Sequence, residues 1–337
     1  MSNKTKRKIM YLFLGLMLLS CSLVFAQENM LTLGHEITLS STALSEDRVM
    51  SIYLPEAYEQ SIQKYPVLYV LDGNTHFHHV SGAVHFLSDE GHMPQMIVVA
   101  IQNIDRIRDF TPVHVDNFPT SGGAEKFLDF ISGELVPYIN ENYRTSSYDV
   151  LVGHSFGGVF ANYTLLEKPE LFDAYIAISP FLQLAENHMV EESKAKLKSH
   201  YDKPIYFYVT IGEEPAYFEA LGAFSDLIKE KADSNFHFDY VHIETENHAT
   251  IPYISVFKGL RFIFSDWQLP NATFGEELSA IDAHYATISA KYGVDMTAPE
   301  NVLNFAGYTH LQNKDLENAI LIFKENIKRY PNSSNVY

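Results

Sequence analysis

Asp149-Val150-Leu151-Val152-Gly153-His154-Ser155-Phe156-Gly157-Gly158 decides how the chain folds. Residues 149–152 are a short, mostly apolar run, the pattern of a buried strand, and residues 159–167 carry the apolar pattern of a helix. Between them lies G-x-S-x-G. A serine in so tight a strand-to-helix turn projects its hydroxyl from the rim of a sheet into solvent. The glycines at 153 and 157 leave room for strand and helix to approach. The following helix aims its N-terminal N–H groups and the positive end of its dipole at the serine, favouring developing negative charge there. Ser155 is therefore the candidate nucleophile.

Short β-rich runs recur on both sides of this turn, at residues 36–39, 49–54, 66–71, 96–101, 174–179, 204–211 and 237–243. Helical periodicity separates most of the later ones. Within residues 124–143, Phe127, Phe130, Ile131, Leu135, Tyr138 and Ile139 recur mostly at three- and four-residue steps and share one face. Continuously apolar strands such as 96–101 suit a sheet covered on both faces. The alternation predicts an α/β fold, a mainly parallel central sheet with helices on both faces. The first two runs have no helix between them and predict an antiparallel hairpin at one edge. Past residues 267–270 no clear strand-like run remains, and residues 276–291 and 301–330 read as helical. The chain thus divides into a leader at 1–26, an α/β domain at 27–270 and a small all-helical segment at 271–337.

A serine nucleophile needs a base, and the base an orienting acid; on this strand–turn–helix both follow the serine in loops after later strands. His248 lies in such a loop, Glu244-Thr245-Glu246-Asn247-His248-Ala249-Thr250, whereas His237 and His242 belong to the strand-like run itself. The acid is expected after run 204–211, where the chain reads Gly212-Glu213-Glu214-Pro215. Glu214 lies further past the strand end and is the first choice, with Glu213 the second. Two backbone N–H groups are needed for the oxyanion. One is expected from Phe156, the other from Gly73 or Asn74 in the turn after run 66–71.

Val67-Leu68-Tyr69-Val70-Leu71-Asp72-Gly73, Asn103-Ile104-Asp105-Arg106-Ile107-Arg108-Asp109-Phe110-Thr111-Pro112, the 153–158 turn and Leu171-Phe172-Asp173-Ala174-Tyr175-Ile176-Ala177-Ile178-Ser179-Pro180 together resemble the Putative esterase family of α/β-hydrolases, with its esterase D-like and enterochelin esterase-like enzymes. The resemblance covers about residues 30–268. It implies an α/β-hydrolase fold and serine-dependent hydrolysis of esters or thioesters, with no metal and no other cofactor. By position it makes Ser155 the nucleophile and His248 the base. Many relatives have Asp as the acid where this chain offers only Glu. Glu serves equally, since only a carboxylate oxygen within reach of the imidazole N–H is required.

Arg106 and Arg108 follow run 96–101 on the catalytic side. Two readings stand side by side: a guanidinium clamp for an anionic part of the substrate, or pairing with Asp105 and Asp109 to brace the loop. His76, His78 and His79 do not predict a metal site, because no cysteine and no suitably spaced acid accompanies them.

The net charge of −18 argues against a nucleic-acid partner. The single cysteine, Cys21, excludes an internal disulfide framework. Lys4, Lys6, Arg7 and Lys8, followed by apolar residues 9–25 and Ala26, have the layout of a secretory signal peptide, so the mature chain is expected in the periplasm or outside the cell. Leu18-Leu19-Ser20-Cys21 also has the form of a lipoprotein box, although residues 22–25 beyond it stay mostly apolar. In the tail, Leu303, Gly307, Ala319, Phe323 and Pro331 keep the spacing of a tetratricopeptide repeat, a unit suited to holding a protein partner through residues 272–337. The expected function is an exported serine esterase acting on a small-molecule or polysaccharide-linked ester. An acyltransferase, as in secreted mycolyltransferases of similar fold, and a non-catalytic binding protein docking through its C-terminal helices are the alternatives.

Overall fold

A computed structural model describes residue 5 and residues 32–56, 58–59, 61–331 and 333. The expected leader at 1–26, with Cys21, lies outside these residues apart from Thr5, as do Asn332 and residues 334–337. The described residues from Leu33 onward form one compact unit.

Eight strands form a single sheet: β1 His35–Ser41, β2 Glu46–Tyr53, β3 Tyr65–Val70, β4 Ile97–Ile101, β5 Thr145–His154, β6 Ala174–Ile178, β7 Ile205–Ile211 and β8 Phe236–His242. Their order is β1-β2-β4-β3-β5-β6-β7-β8. The first two make the expected antiparallel edge hairpin, and β2 runs antiparallel to β4. The other pairings are parallel, with Val67 opposite Asp149, Val150 opposite Ala174 and Ala174 opposite Tyr206.

Eleven helices follow in chain order among the described residues: α1 Gly73–Asp89, α2 Arg106–Phe110, α3 Ala124–Phe130, α4 Val136–Asn142, α5 Phe156–Glu167, α6 Leu184–Lys196, α7 Pro215–Lys231, α8 Ile251–Ile263, α9 Leu278–Tyr292, α10 Glu300–Gln312 and α11 Leu316–Arg329. Residues 124–143, whose periodicity is helical throughout, are helical as far as Asn142 and hold a π-helical turn at Ile131–Leu135. Side chains alternate across a pleated strand, so each central strand feeds two cores. Tyr69, Leu151, Tyr175 and Phe207 face one with α3, α5 and α7; Leu68, Val150, Ile176 and Tyr208 face the other with α1 and α8.

The tail helices join the second core. Tyr292, fully buried on α9, meets the rings of Tyr148 on β5, Phe264 and Trp267 at 4.9, 5.0 and 5.6 Å. In the α10–α11 pair a Cβ on Gly307 would lie 2.5 Å from the Phe323 ring, so the helices touch where the small residue stands.

Candidate active site

The carboxyl ends of β3, β5, β6, β7 and β8 lie along one rim of the sheet. Three non-glycine residues just past those ends have positive φ: Asp72 at 54°, Ser155 at 59° and Ser179 at 41°. Such backbone is costly and persists where packing over-determines it, commonly at functional sites. Ser155 has ψ −115° and caps α5. Its N–H donates to Ile178 O at 2.9 Å and its carbonyl accepts from Val159 N at 3.1 Å, so β6 and α5 grip the turn from both sides. A Cβ on Gly153 would sit 2.1 Å from the Gly157 carbonyl, and one on Gly158 2.9 Å from Pro180 Cα. On Gly157 it would meet nothing nearer than Asp72 Oδ2 at 3.4 Å, ordinary contact. The crowding thus falls on Gly153 and Gly158, not on the second glycine of the motif.

Glu214 and His248 meet. Glu214 Oε1 and His248 Nδ1 are hydrogen-bonded, while Oε2 accepts from Ser179 Oγ at 2.6 Å and from the Gly212 N–H at 3.1 Å. The carboxylate is buried and held by three groups, with one oxygen turned to the imidazole. Glu213 points away: its exposed carboxylate lies 3.2 Å from His242 Nε2. Its backbone N–H donates to Glu246 O at 2.7 Å and ties the acid's loop to the histidine's. Asn247 Oδ1 accepts from Ala249 N at 2.9 Å, turning the chain after His248 into α8. The His248 ring is 4.5 Å from that of His154, the residue before Ser155.

Phe156 opens α5, and Gly73 and Asn74 open α1. Their N–H groups belong to first helical turns and have no intrahelical acceptor, leaving them available to an oxyanion. The Asp72 carboxylate between these two helix starts accepts from Asn103 Nδ2 and from Arg106 Nε at 2.8 Å and Nη2 at 3.2 Å. Arg106 also stacks over Phe156, 5.5 Å from the ring centre. Arg108 reaches Glu46 at 2.6 Å and Asp109 at 2.8 Å, and Asp109 also binds the buried Arg48 at 2.5 Å. Both arginines are braced, but Arg106 pairs with Asp72, not Asp105. Asp105 instead caps α2 by accepting the Arg108 N–H.

A row of imidazoles runs beside the site. His154 packs at 5.7 Å on His76, whose Nδ1 lies 3.2 Å from His79 Nε2. Burial, with the neighbouring His248 and His76, pulls His154 down to about 3. Burial and the neighbouring His76 and His78 take His79 to about 4. These rings are neutral at pH 7. Among the described residues no group of three or more His, Cys, Asp or Glu is arranged to hold a metal ion.

Sequence reasoning missed Asp72, Ser179 and Tyr217. Burial and the Glu214 charge push the Tyr217 phenol up, opposed by its hydrogen bond with the Ser155 side chain. Ser179 and Tyr217 had one available signal: each stands within three residues of an expected strand end on the catalytic rim or of the candidate acid.

A family model described as Putative esterase matches residues 41–250. Ferri-bacillibactin esterase BesA from Bacillus subtilis is 26% identical over 260 residues, 68% of this chain and 89% of that protein. Siderophore triacetylfusarinine C esterase from Aspergillus fumigatus is 32% identical over 155 residues, 41% of this chain and 53% of its own length. An IroE-like serine hydrolase from Shewanella oneidensis superposes with a TM-score of 0.75 at 28% identity, over 88% of this chain and 99% of that one.

Proposed function

The chain belongs to the Putative esterase family, and from that membership we propose that it is an exported serine hydrolase that cleaves carboxylic or thio-esters through an acyl-enzyme on Ser155. The observation that carries the reading is the buried Glu214 carboxylate bonded to His248 Nδ1 beside the Ser155 turn.

With Nδ1–H donated to Glu214, His248 presents a basic Nε2. Ser155 Oγ attacks the acyl carbon as His248 takes its proton. The carbonyl oxygen, now negative, is held by the N–H groups of Phe156 and of Gly73 or Asn74. The C–O bond to the alcohol breaks and the same proton passes from His248 to the leaving oxygen. Water, deprotonated by His248, then cleaves the acyl-enzyme and restores Ser155. The relatives named for ferri-bacillibactin and triacetylfusarinine C support a siderophore-type ester as the substrate class. The basic start and apolar residues 9–25 support export after loss of residues 1–26, to be checked by the mass of the mature N-terminus.

The test is hydrolysis of p-nitrophenyl esters by the wild type and by Ser155→Ala, His248→Ala, Glu214→Gln and Glu213→Gln. The first two should lose at least about a thousandfold in kcat, Glu214→Gln at least about tenfold, and Glu213→Gln little. Wild-type rates in both Ser155→Ala and His248→Ala would refute the mechanism.

A further inference from the structure

The acid of the proposed triad is a glutamate, and a glutamate does not hold itself in place. Its carboxylate stands beyond three rotatable bonds, the last a broad torsion with little preference of its own, so an oxygen aimed at an imidazole must be fixed from outside. Glu214 occupies the N-cap of α7, where an acidic side chain ordinarily turns back to accept the free N–H groups of its own first turn. Here the side chain makes no such cap bond. Tyr217 N donates instead to the Glu214 carbonyl at 2.9 Å, and the carboxylate leaves the helix to meet His248.

Two donors meet the oxygen turned away from His248: the Gly212 N–H at 3.1 Å and Ser179 Oγ at 2.6 Å. Gly212 shares the acid's own loop and gives it no outside reference. Ser179 does. It follows β6, is fully buried, and is tied to β7 by its N–H, which donates to Thr210 O at 2.8 Å. Its φ of 41° is backbone that glycine enters at less cost. What serine brings there that glycine lacks is the hydroxyl, and that O–H is given to Glu214. The residues on either side of Ser179-Pro180 hold the nucleophile: Ile178 O accepts the Ser155 N–H at 2.9 Å, and the Phe181 N–H donates to Ser155 O at 3.3 Å. One run of four residues, 178–181, thus grips the peptide groups of Ser155 through its backbone and the carboxylate of Glu214 through a side chain.

We propose that Ser179 is a positioning residue of the reaction: its hydroxyl fixes the Glu214 carboxylate, and through it the His248 ring, against the same four residues that grip the nucleophile. The proposal rests on the serine-hydrolase reading above. Ser179 touches neither substrate nor a reacting atom, so its whole effect passes through Glu214. Without the hydroxyl, Glu214 Oε2 keeps only the Gly212 N–H, the carboxylate is free to turn about its last torsion, and the imidazole loses its set direction.

The experiment is a double-mutant cycle on 4-nitrophenyl butyrate hydrolysis, with Ser179→Ala, Glu214→Ala and the two together. Ser179→Ala should lower kcat at least about tenfold and leave KM within about twofold. In the Glu214→Ala background the same change should cost nothing further, because no carboxylate remains to be held. Losses that multiply in the double variant, or a wild-type kcat in Ser179→Ala, would overturn the proposal. A second readout is the Nδ1 proton of His248 in the NMR spectrum, which should broaden by exchange with water in Ser179→Ala; a proton as sharp as in the wild type would count against the role. Should Ser179→Ala not fold, Ser179→Gly, whose backbone accepts the positive φ, takes its place in the cycle. Failure of both to fold would make Ser179 a structural residue and overturn the proposal as well. Ser155→Ala, measured alongside, separates the two readings. If it is inactive while Ser179→Ala runs as wild type, only the role of Ser179 falls; if it keeps the wild-type rate, the hydrolase reading falls and this proposal with it.

Discussion

Gly153 and Gly157 enter the G-x-S-x-G motif as a symmetrical pair, yet their surroundings differ. At 153 a methyl group would collide with a main-chain oxygen at 2.1 Å, and backbone cannot step aside. At 157 the nearest atom is at 3.4 Å, and alanine is the better helix former. Gly153→Ala and Gly158→Ala should each lose about 3 kcal/mol or more, or fail to fold. Gly157→Ala should hold its stability or gain up to about 1 kcal/mol. Urea melts of the three variants check this. His154 and His79 are held at about 3 and about 4 in the fold against about 6.5 in the unfolded chain. Above pH 6.5 both states hold these rings neutral and stability does not change on their account. As the pH falls below 6.5 the unfolded chain takes up protons that the fold refuses, and stability drops until the folded values are reached. The melting temperature should therefore decline from pH 7 towards pH 4. His154→Phe should flatten that decline, and a slope unchanged from wild type would show that the ring does not stay neutral.

At the scale of elements, the strands were the most legible part. All eight runs are strands; the inner ones, β3, β4, β6 and β7, are buried at every position, so their sequences are apolar almost throughout. Their edges were less so: β5 begins at Thr145, since Thr145-Ser146-Ser147 continues the strand without apolar side chains to mark it. Helix α1 escaped the reading because its first residues, after Asp72-Gly73, look like a turn. Its signal was Phe77, Val80, Val84 and Leu87, all buried at three- and four-residue steps. Serine and histidine could be picked out because each follows a recognisable strand. Position past the strand end ranked Glu214 ahead of Glu213, but the hydrogen bond that holds its carboxylate, from Ser179 35 positions earlier and just past the end of β6, leaves no mark in the sequence around it. The tail carries its own prediction. Tyr292 on α9 is fully buried, meets Tyr148 of the central strand β5 edge to face, and donates to Ile263 O at 3.2 Å. Tyr292→Ala should lower global stability by about 3–5 kcal/mol in a single transition. A separate early transition, with the rest of the protein melting as wild type, would show that the tail unfolds by itself.

The whole molecule carries a net charge of −18. Its summed field acts over a distance set by salt, where screening tightens from about 30 Å at 0.01 M to about 8 Å at 0.15 M. An uncharged ester such as 4-nitrophenyl butyrate feels that field little, so its kcat/KM should stay flat across that range. An anionic one, such as the 4-nitrophenyl half-ester of glutaric acid, is repelled on approach, and its kcat/KM should rise several-fold as salt screens the field. The same salt dependence for both esters would show that the overall charge does not steer substrates to the site.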